Sequence, residues 1–201
     1  MMDPELHLIR AAGKGNHEAF ETLVKRFQNP LFNFIYRYVG DRQTAEDLTQ
    51  ETFLKVYRAA SRFEARARAR VSTWVFKIAY NLSMNEIKHR RRLRVFCDDL
   101  HNRAKDLTGQ RFSEIMELRA LEKEIMSGLN QLPKTQKAAL LLRVNQGFSY
   151  REISEVLDVS ISSVEALVFR ARKGLKKHLQ SAEKECGHEM PTSAEKTFCI
   201  H

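Results

Sequence analysis

This 201-residue chain is short of the residues that break or cross-link a fold, with eight glycines, four prolines and three cysteines, Cys97, Cys186 and Cys199. An odd, sparse cysteine set builds no disulfide framework and fits a reducing compartment. No apolar run approaches the roughly 20 residues that span a bilayer, so no membrane insertion is expected. The opening Met1-Met2-Asp3-Pro4-Glu5 lacks the basic start and apolar core of a secretory signal, and a cytoplasmic location is the expectation. A glycine loop to cradle phosphate, a nucleophile–base pair and a catalytic metal set are all missing, which argues against an enzyme and against a cofactor. Alternating segments that would make strands are missing too. Leu, Glu, Lys, Arg and Ala in 3.6-residue periodicity predict an all-α chain of two small helical domains.

The formal net charge of +9 is unevenly spread. Residues 62–94 carry a net +8 and residues 129–180 a net +5, while the other segments are neutral or acidic. A polyanion touching both blocks is the simplest reading, because clustered cations gain affinity by releasing counterions from phosphates. Neither block pairs its cations with a broad apolar face, which weakens a membrane-surface reading.

The second block contains the most informative stretch, Ser149 to Leu179. Ile153, Val156 and Leu157 form one apolar face, a break follows at Asp158-Val159-Ser160, and Ile161, Val164, Val168, Ala171 and Leu175 form a second stripe. Ser149 with Glu152, and Ser162 with Glu165, both have the spacing of a capping box. The second helix turns outward Ser163, Ala166, Phe169, Arg170 and Lys173, which suits a helix that meets base edges at its start and phosphates along its flank. A helix-turn-helix in the major groove is favoured over a plain helical hairpin with a solvated basic face.

Upstream, an in-phase apolar series over 17–39 predicts a helix kinked or briefly broken at Pro30. Asp41 is placed to cap the next helix, with Ala45, Leu48, Phe53, Val56, Tyr57 and Ala60 inward. A third helix spans about 71–92, and the Ala-Arg repeat at 64–70 precedes it as an exposed connection. Periodicity weakens after Arg94 and resumes near Phe112. Leu132-Pro133 then opens a helix with Ala138, Leu141, Leu142 and Val144 inward, ending near Gly147. The expected division is a domain over 1–94, a linker over 95–110, a helix-turn-helix domain over 111–180 and a flexible tail over 181–201.

Two motif sets in this order resemble the extracytoplasmic-function sigma factors of bacterial RNA polymerase over about residues 15–180. The first set is A-E-D-L-T-Q-E-T-F-L-K-V-Y from Ala45 to Tyr57 with S-T-W-V-F-K-I-A-Y-N-L from Ser72 to Leu82. L-P-K-T-Q-K-A-A-L-L-L-R, G-F-S-Y-R-E-I-S-E-V-L and V-F-R-A-R-K-G-L make the second. The resemblance implies a factor that binds core RNA polymerase and promoter DNA, reads the -35 element by its helix-turn-helix, helps open the -10 element, and is held by an anti-sigma factor. A free-standing DNA-binding repressor is the rival, and it leaves residues 41–94 without a use.

The resemblance also implies residue roles. Asp47, Gln50 and Glu51 would contact the polymerase. The -10 element would be met by Arg66, Arg68 and Arg70 before the T-W motif and by Asn81, Asn85, Lys88, Arg91 and Arg92 beyond it. Asn81, Asn85, Lys88 and Arg92 follow steps of four, three and four, so amides and cations share one helical stripe. Lys88, Arg90, Arg91, Arg92 and Arg94 crowd five cations into seven residues. Trp74 reads as core rather than as a stacking platform. The -35 element would be read by Ser160, Ser162, Ser163, Glu165, Ala166, Phe169, Arg170 and Lys173. Glu165 has two readings, a hydrogen bond from cytosine N4 or its capping-box role, with capping favoured. The sequence departs from the family pattern in a Phe63–Trp74 interval about two residues longer than usual. In the tail, Cys186, His188, Cys199 and His201 are metal-capable side chains, but their spacing matches no strong zinc pattern and an inert tail is favoured.

Overall fold

The computed structural model describes residues 3–63, 70–97 and 113–186. They form helices α1 (Leu6–Gly13), α2 (His17–Val39), α3 (Arg42–Ala60), α4 (Val71–Cys97), α5 (Ser113–Gln131), α6 (Lys134–Asn145), α7 (Tyr150–Leu157) and α8 (Ile161–Cys186), with no strand among the described residues. The chain is all-α, as its periodicity requires. Of the expected linker, 95–97 lie within α4 and the remainder falls outside the described residues. Likewise α8 runs on to Cys186, and the rest of the expected tail lies outside them.

Side-chain caps set several helix starts. Asn16 accepts from Ala19 N at 3.0 Å to begin α2, which passes Pro30 unbroken and stops at Gly40 in the left-handed region (φ 82°). Asp41 accepts from Thr44 N at 2.9 Å to begin α3. Bonds from the Thr44 hydroxyl and N–H, with Arg90 nearby, hold the Asp41 carboxyl below its ordinary value against the opposing effect of burial. On α3 the inward face includes Thr44, Thr49 and Thr52 beside Ala45, Leu48, Val56 and Ala60. Thr49 and Thr52 donate to the carbonyls of Ala45 and Leu48 at 2.6 and 2.7 Å, which allows hydroxyls in an apolar seam. Tyr57, expected inward, is instead 40% exposed and leans on Phe20 at 4.9 Å between ring centroids.

Among the described residues the start of α4 has no local side-chain cap. Trp74 N donates to Arg70 O at 3.1 Å, so Arg70 occupies the capping position, where its side chain offers no acceptor. The fully buried Val71 donates its N–H to Asp3 Oδ2, from a residue 68 positions away. Left unpaired, such a buried donor would cost about 1–3 kcal/mol.

Helices α1–α4 pack together, and α5–α8 pack together. Contacts of α4 with α7 and of α2 with α6 join the two sets into one core. Phe76 of α4 stands edge-on to Phe34 at 5.5 Å and to Phe148, in the α6–α7 turn, at 5.2 Å. Around this apolar joint, Arg37 donates to Asn145 Oδ1 at 3.0 Å and Gln146 to Pro30 O at 3.4 Å. In the second half, a Cβ on Gly128 would stand 2.6 Å from Leu175 Cδ1, so α5 and α8 lie very close. Val144 and Ile161, both expected inward, are 40% and 47% exposed.

Lys137 of α6 has no solvent exposure, and its ammonium donates to Asn130 Oδ1 at 2.7 Å. Burial, and secondarily the charge of Lys134, pushes its pKa from 10.5 down to about 7. Between those two values the unfolded chain binds the proton more tightly, so this residue makes stability rise as pH climbs through that window. Lys137→Met is expected to remove that rise, seen as a flatter dependence of Tm on pH from 7 to 10 than in the unaltered protein. Equal slopes for the two proteins would refute the buried-cation account.

Candidate nucleic-acid interface

The helix-turn-helix is built as its sequence specifies at the first helix. Ser149 Oγ accepts from Glu152 N at 3.3 Å, and Glu152 Oε2 accepts from Ser149 N at 2.8 Å, completing a capping box. Ile153, Val156 and Leu157 are buried, and Asp158 ends the helix in the left-handed region (φ 58°), which Asp tolerates better than most side chains. The turn thereby swings the chain into α8.

At α8 the capping differs from expectation. Val164 N donates to Ser160 O at 3.0 Å and Ser163 N to Ser160 Oγ at 3.2 Å, so Ser160 is the cap and the third helical residue is Ser163. The Ser162–Glu165 box therefore does not form, and the favoured capping role of Glu165 is corrected. The rule of three residues from cap to partner failed because a serine two positions earlier already satisfied the helix start. Glu165 is released and exposed.

Val164, Val168, Ala171 and Leu175 seat α8 on the core. Ser160, Ser162, Ser163, Glu165, Ala166, Phe169, Arg170 and Lys173 are all exposed, with Phe169 as much as 68% so. Arg170 folds its Nε back onto Ala166 O at 3.2 Å, leaving its guanidinium along the helix flank. Short side chains at the first turn and cations two turns later make a surface that can approach base edges and hold phosphates.

The second surface lies on α4. Asn81, Asn85, Lys88, Arg91 and Arg92 are exposed, so the polar stripe stays open although α7 packs on the same helix. Arg90 departs from the cationic run: it donates to Glu86 Oε1 at 2.7 Å, lies 3.4 Å from Asp41 Oδ1, and bonds the Thr44 hydroxyl. It ties α4 to the start of α3, and five free cations become fewer. Arg94 lies beyond the described side chains, and Arg66 and Arg68 lie outside the described residues. Arg70 is half-engaged, its guanidinium 3.3 Å from Glu152 Oε1. Glu152 thus caps α7 with one oxygen and meets Arg70 with the other. Trp74 is half-buried against Phe63, 4.7 Å between ring centroids, in keeping with a packing role.

A third surface, on α3, is acidic. Asp47, Gln50 and Glu51 are exposed on one face, with Glu51 3.5 Å from Lys55 and Asp47 3.4 Å from Gln43. Leu54, 55% exposed, continues this face one turn on. The sequence reading missed it, though its spacing of three from Glu51 and four from Gln50 was visible. Among the described residues no cluster of metal-ligating side chains occurs, and no helix is long and apolar enough to cross a membrane. Cys186 ends α8 with its side chain undescribed, and His188, Cys199 and His201 lie outside the described residues.

Comparison with known proteins places these surfaces within known regions. Residues 23–93 match Sigma-70 region 2 and residues 122–175 match Sigma-70, region 4. The chain is 31% identical to RNA polymerase sigma-H factor of Pseudomonas aeruginosa over 190 residues, covering 91% of this chain and 97% of the relative. It is 30% identical to ECF RNA polymerase sigma-E factor of Haemophilus influenzae over 180 residues, covering 86% and 94%. Among solved structures, CnrH in complex with the cytosolic domain of CnrY shares the fold at TM-score 0.67 and 23% identity, covering 89% of this chain and 99% of that one. Sigma factor RpoE in complex with the anti-sigma factor NepR, from Bartonella quintana, does so at TM-score 0.66 and 22% identity, covering 80% and 96%.

If α4 tracks a single strand and α8 a duplex, their cations separate by substrate. Lys88→Ala or Arg92→Ala should each lower the salt slope of single-strand binding by about 0.7, and Arg170→Ala that of duplex binding by about 0.9. Fluorescence anisotropy titrations across a salt series measure both. An unchanged slope excludes the altered residue from phosphate contact.

Proposed function

The chain belongs to the extracytoplasmic-function sigma factors, and from that premise we propose how its surfaces divide the work of starting transcription. It is a promoter-specific sigma factor. In our reading the exposed face of Asp47, Gln50, Glu51 and Leu54 docks on core RNA polymerase, where carboxylates meet a basic surface and Leu54 adds apolar area. The α8 face from Ser160 to Lys173 enters the major groove at the -35 element. Its early serines and Ala166 let the helix come close, Phe169 offers apolar contact, and Glu165 is free to accept from a cytosine N4 amine.

The Asn81, Asn85, Lys88, Arg91 and Arg92 stripe meets the opened -10 element. Amides there hydrogen-bond an unstacked base, and cations follow the phosphates past it. Arg70 joins this set when its contact with Glu152 opens. The single observation that carries the reading is that three chemically distinct faces are exposed together among the described residues.

The division into a 1–94 domain and a 111–180 domain follows the two motif sets, with 95–110 connecting them. Catalysis belongs to the polymerase, the protein itself works without a cofactor, and its place of action is the cytoplasm. A partner anti-sigma factor that covers the polymerase-binding face would hold it inactive; Leu54 and Tyr57, large apolar side chains exposed on α3, support such cover.

Mixed with core polymerase and a library of genomic fragments, the protein is expected to direct initiation from a defined subset that core enzyme alone ignores. Asp47→Lys combined with Glu51→Lys should weaken core binding by at least tenfold, roughly the value of two exposed ion pairs, while binding of the recovered promoter by the free protein is retained. Failure of the unaltered protein to associate with core polymerase would overturn the proposal.

A further inference from the structure

The N-terminal helix lies outside the matched Sigma-70 region 2, which begins at residue 23, yet it touches both helix ends that flank residues 62–70. Asp3 Oδ1 accepts from Glu5 N at 3.0 Å, starting α1, while Asp3 Oδ2 accepts from Val71 N at the first turn of α4. At the other end of α1, Gly13 lies against the last residues of α3. A Cβ there would stand 2.7 Å from Ala60 O and 3.0 Å from Ser61 Cα, and that contact is with backbone rather than with a side chain that could move aside.

Further bonds fix the strap in place. Glu5 has a buried carboxyl, 3.0 Å from Arg26 of α2. Ile9 and Ala12 are buried in the shared core. Asp3 is moreover the only cap α4 has among the described residues, since Arg70 occupies the capping position and cannot accept.

We infer that Asp3 is a positioning residue for promoter opening: by capping α4 from the far end of the chain, it sets the first turn of that helix at a fixed place relative to the end of α3. The inference rests on the proposed role of α4 at the -10 element. Asp3 does not touch DNA in this account. It acts through Val71, whose backbone direction decides where Arg70 projects and how the Asn81–Arg92 stripe is aimed. Negative charge at the start of a 27-residue helix also suits the helix dipole.

The test uses full-length protein assembled with core polymerase on a promoter recovered as above. Asp3→Ala and Asp3→Asn are compared with the unaltered chain for core association, for duplex binding, and for strand opening read by permanganate reactivity of thymines in the -10 region. Asp3→Ala should open the promoter roughly five- to tenfold less while core association and duplex binding stay unchanged. Asp3→Asn keeps one acceptor oxygen, which can serve Val71 N while the bond to Glu5 N is given up, and it should restore opening to within about twofold.

Normal opening by Asp3→Ala overturns the inference. Equal loss in Asp3→Asn overturns it too, since the charge or the local bond to Glu5 N rather than the cap on Val71 would then be responsible, as does a parallel loss of core association, which would mark Asp3 as a general stabiliser. Should Asp3→Ala fold poorly by circular dichroism, Asp3→Asn against Asp3→Ser decides: the asparagine oxygen matches the reach of Oδ2 and should keep the promoter opening, the serine hydroxyl is one bond shorter and should not, and equal opening by the two overturns the inference. If the unaltered protein itself opens nothing with core enzyme, the functional assignment fails, a result distinct from each of these.

Discussion

The ring of Phe76 stands with one edge toward Phe34 of α2 and another toward Phe148 of the turn that opens the helix-turn-helix, so the same side chain closes one half and seats the other. Each such pair is worth about 0.5–1.5 kcal/mol beyond the burial of its area. Around it polar contacts also join the halves: Arg37 with Asn145, Gln146 with Pro30, Arg70 with Glu152. A seam with one aromatic plug and a polar rim is more separable than a core made only of interdigitated leucines, because water and salt can replace the rim. Phe148 meets α4 at the buried Phe76, and the Asn81 stripe stays exposed although α7 packs on the same helix.

What could be read in the sequence was local. The 3.6-residue stripes gave α2, α3, α4 and the helix-turn-helix, and Asn16, Asp41 and Ser149 each act within three residues of themselves, so a linear pattern contains both partners. What escaped was long-range or competitive. Helix α1 does not stand out in the sequence, because its buried pair Ile9 and Ala12 is too short a stripe and its meaning depends on Val71. Arg90 looked like its cationic neighbours until the fold brought Asp41 and Thr44 beside it. Nothing in the sequence sets Lys137 apart from a surface lysine, because its helix buries Lys137, Ala138, Ala139, Leu140, Leu141 and Leu142 in succession. Such a run has no polar face to signal where the side chains point.

The same division holds for the proposed sites. Residue types at the three exposed faces were legible, since a face that must meet a partner keeps its polar or small residues in helical register. Their freedom was not. Glu165 was expected to be spent on a cap, and Ser160 took the place; Arg70 was expected to be free, and Glu152 meets it. Both cases are competitions between nearby groups for one donor or acceptor, and hydrogen-bond geometry rather than residue type decides them.

Helix α8 is single and continuous over 26 residues, about 39 Å at 1.5 Å per residue. Its front turn, the end proposed to read DNA, is exposed, while Leu175, half its length behind, sits almost in contact with Gly128 of α5. Val164, Val168 and Ala171 are buried between these points, so the helix is a rod held along its inner face, and the proposed reading turn shares one rigid element with the seat against α5.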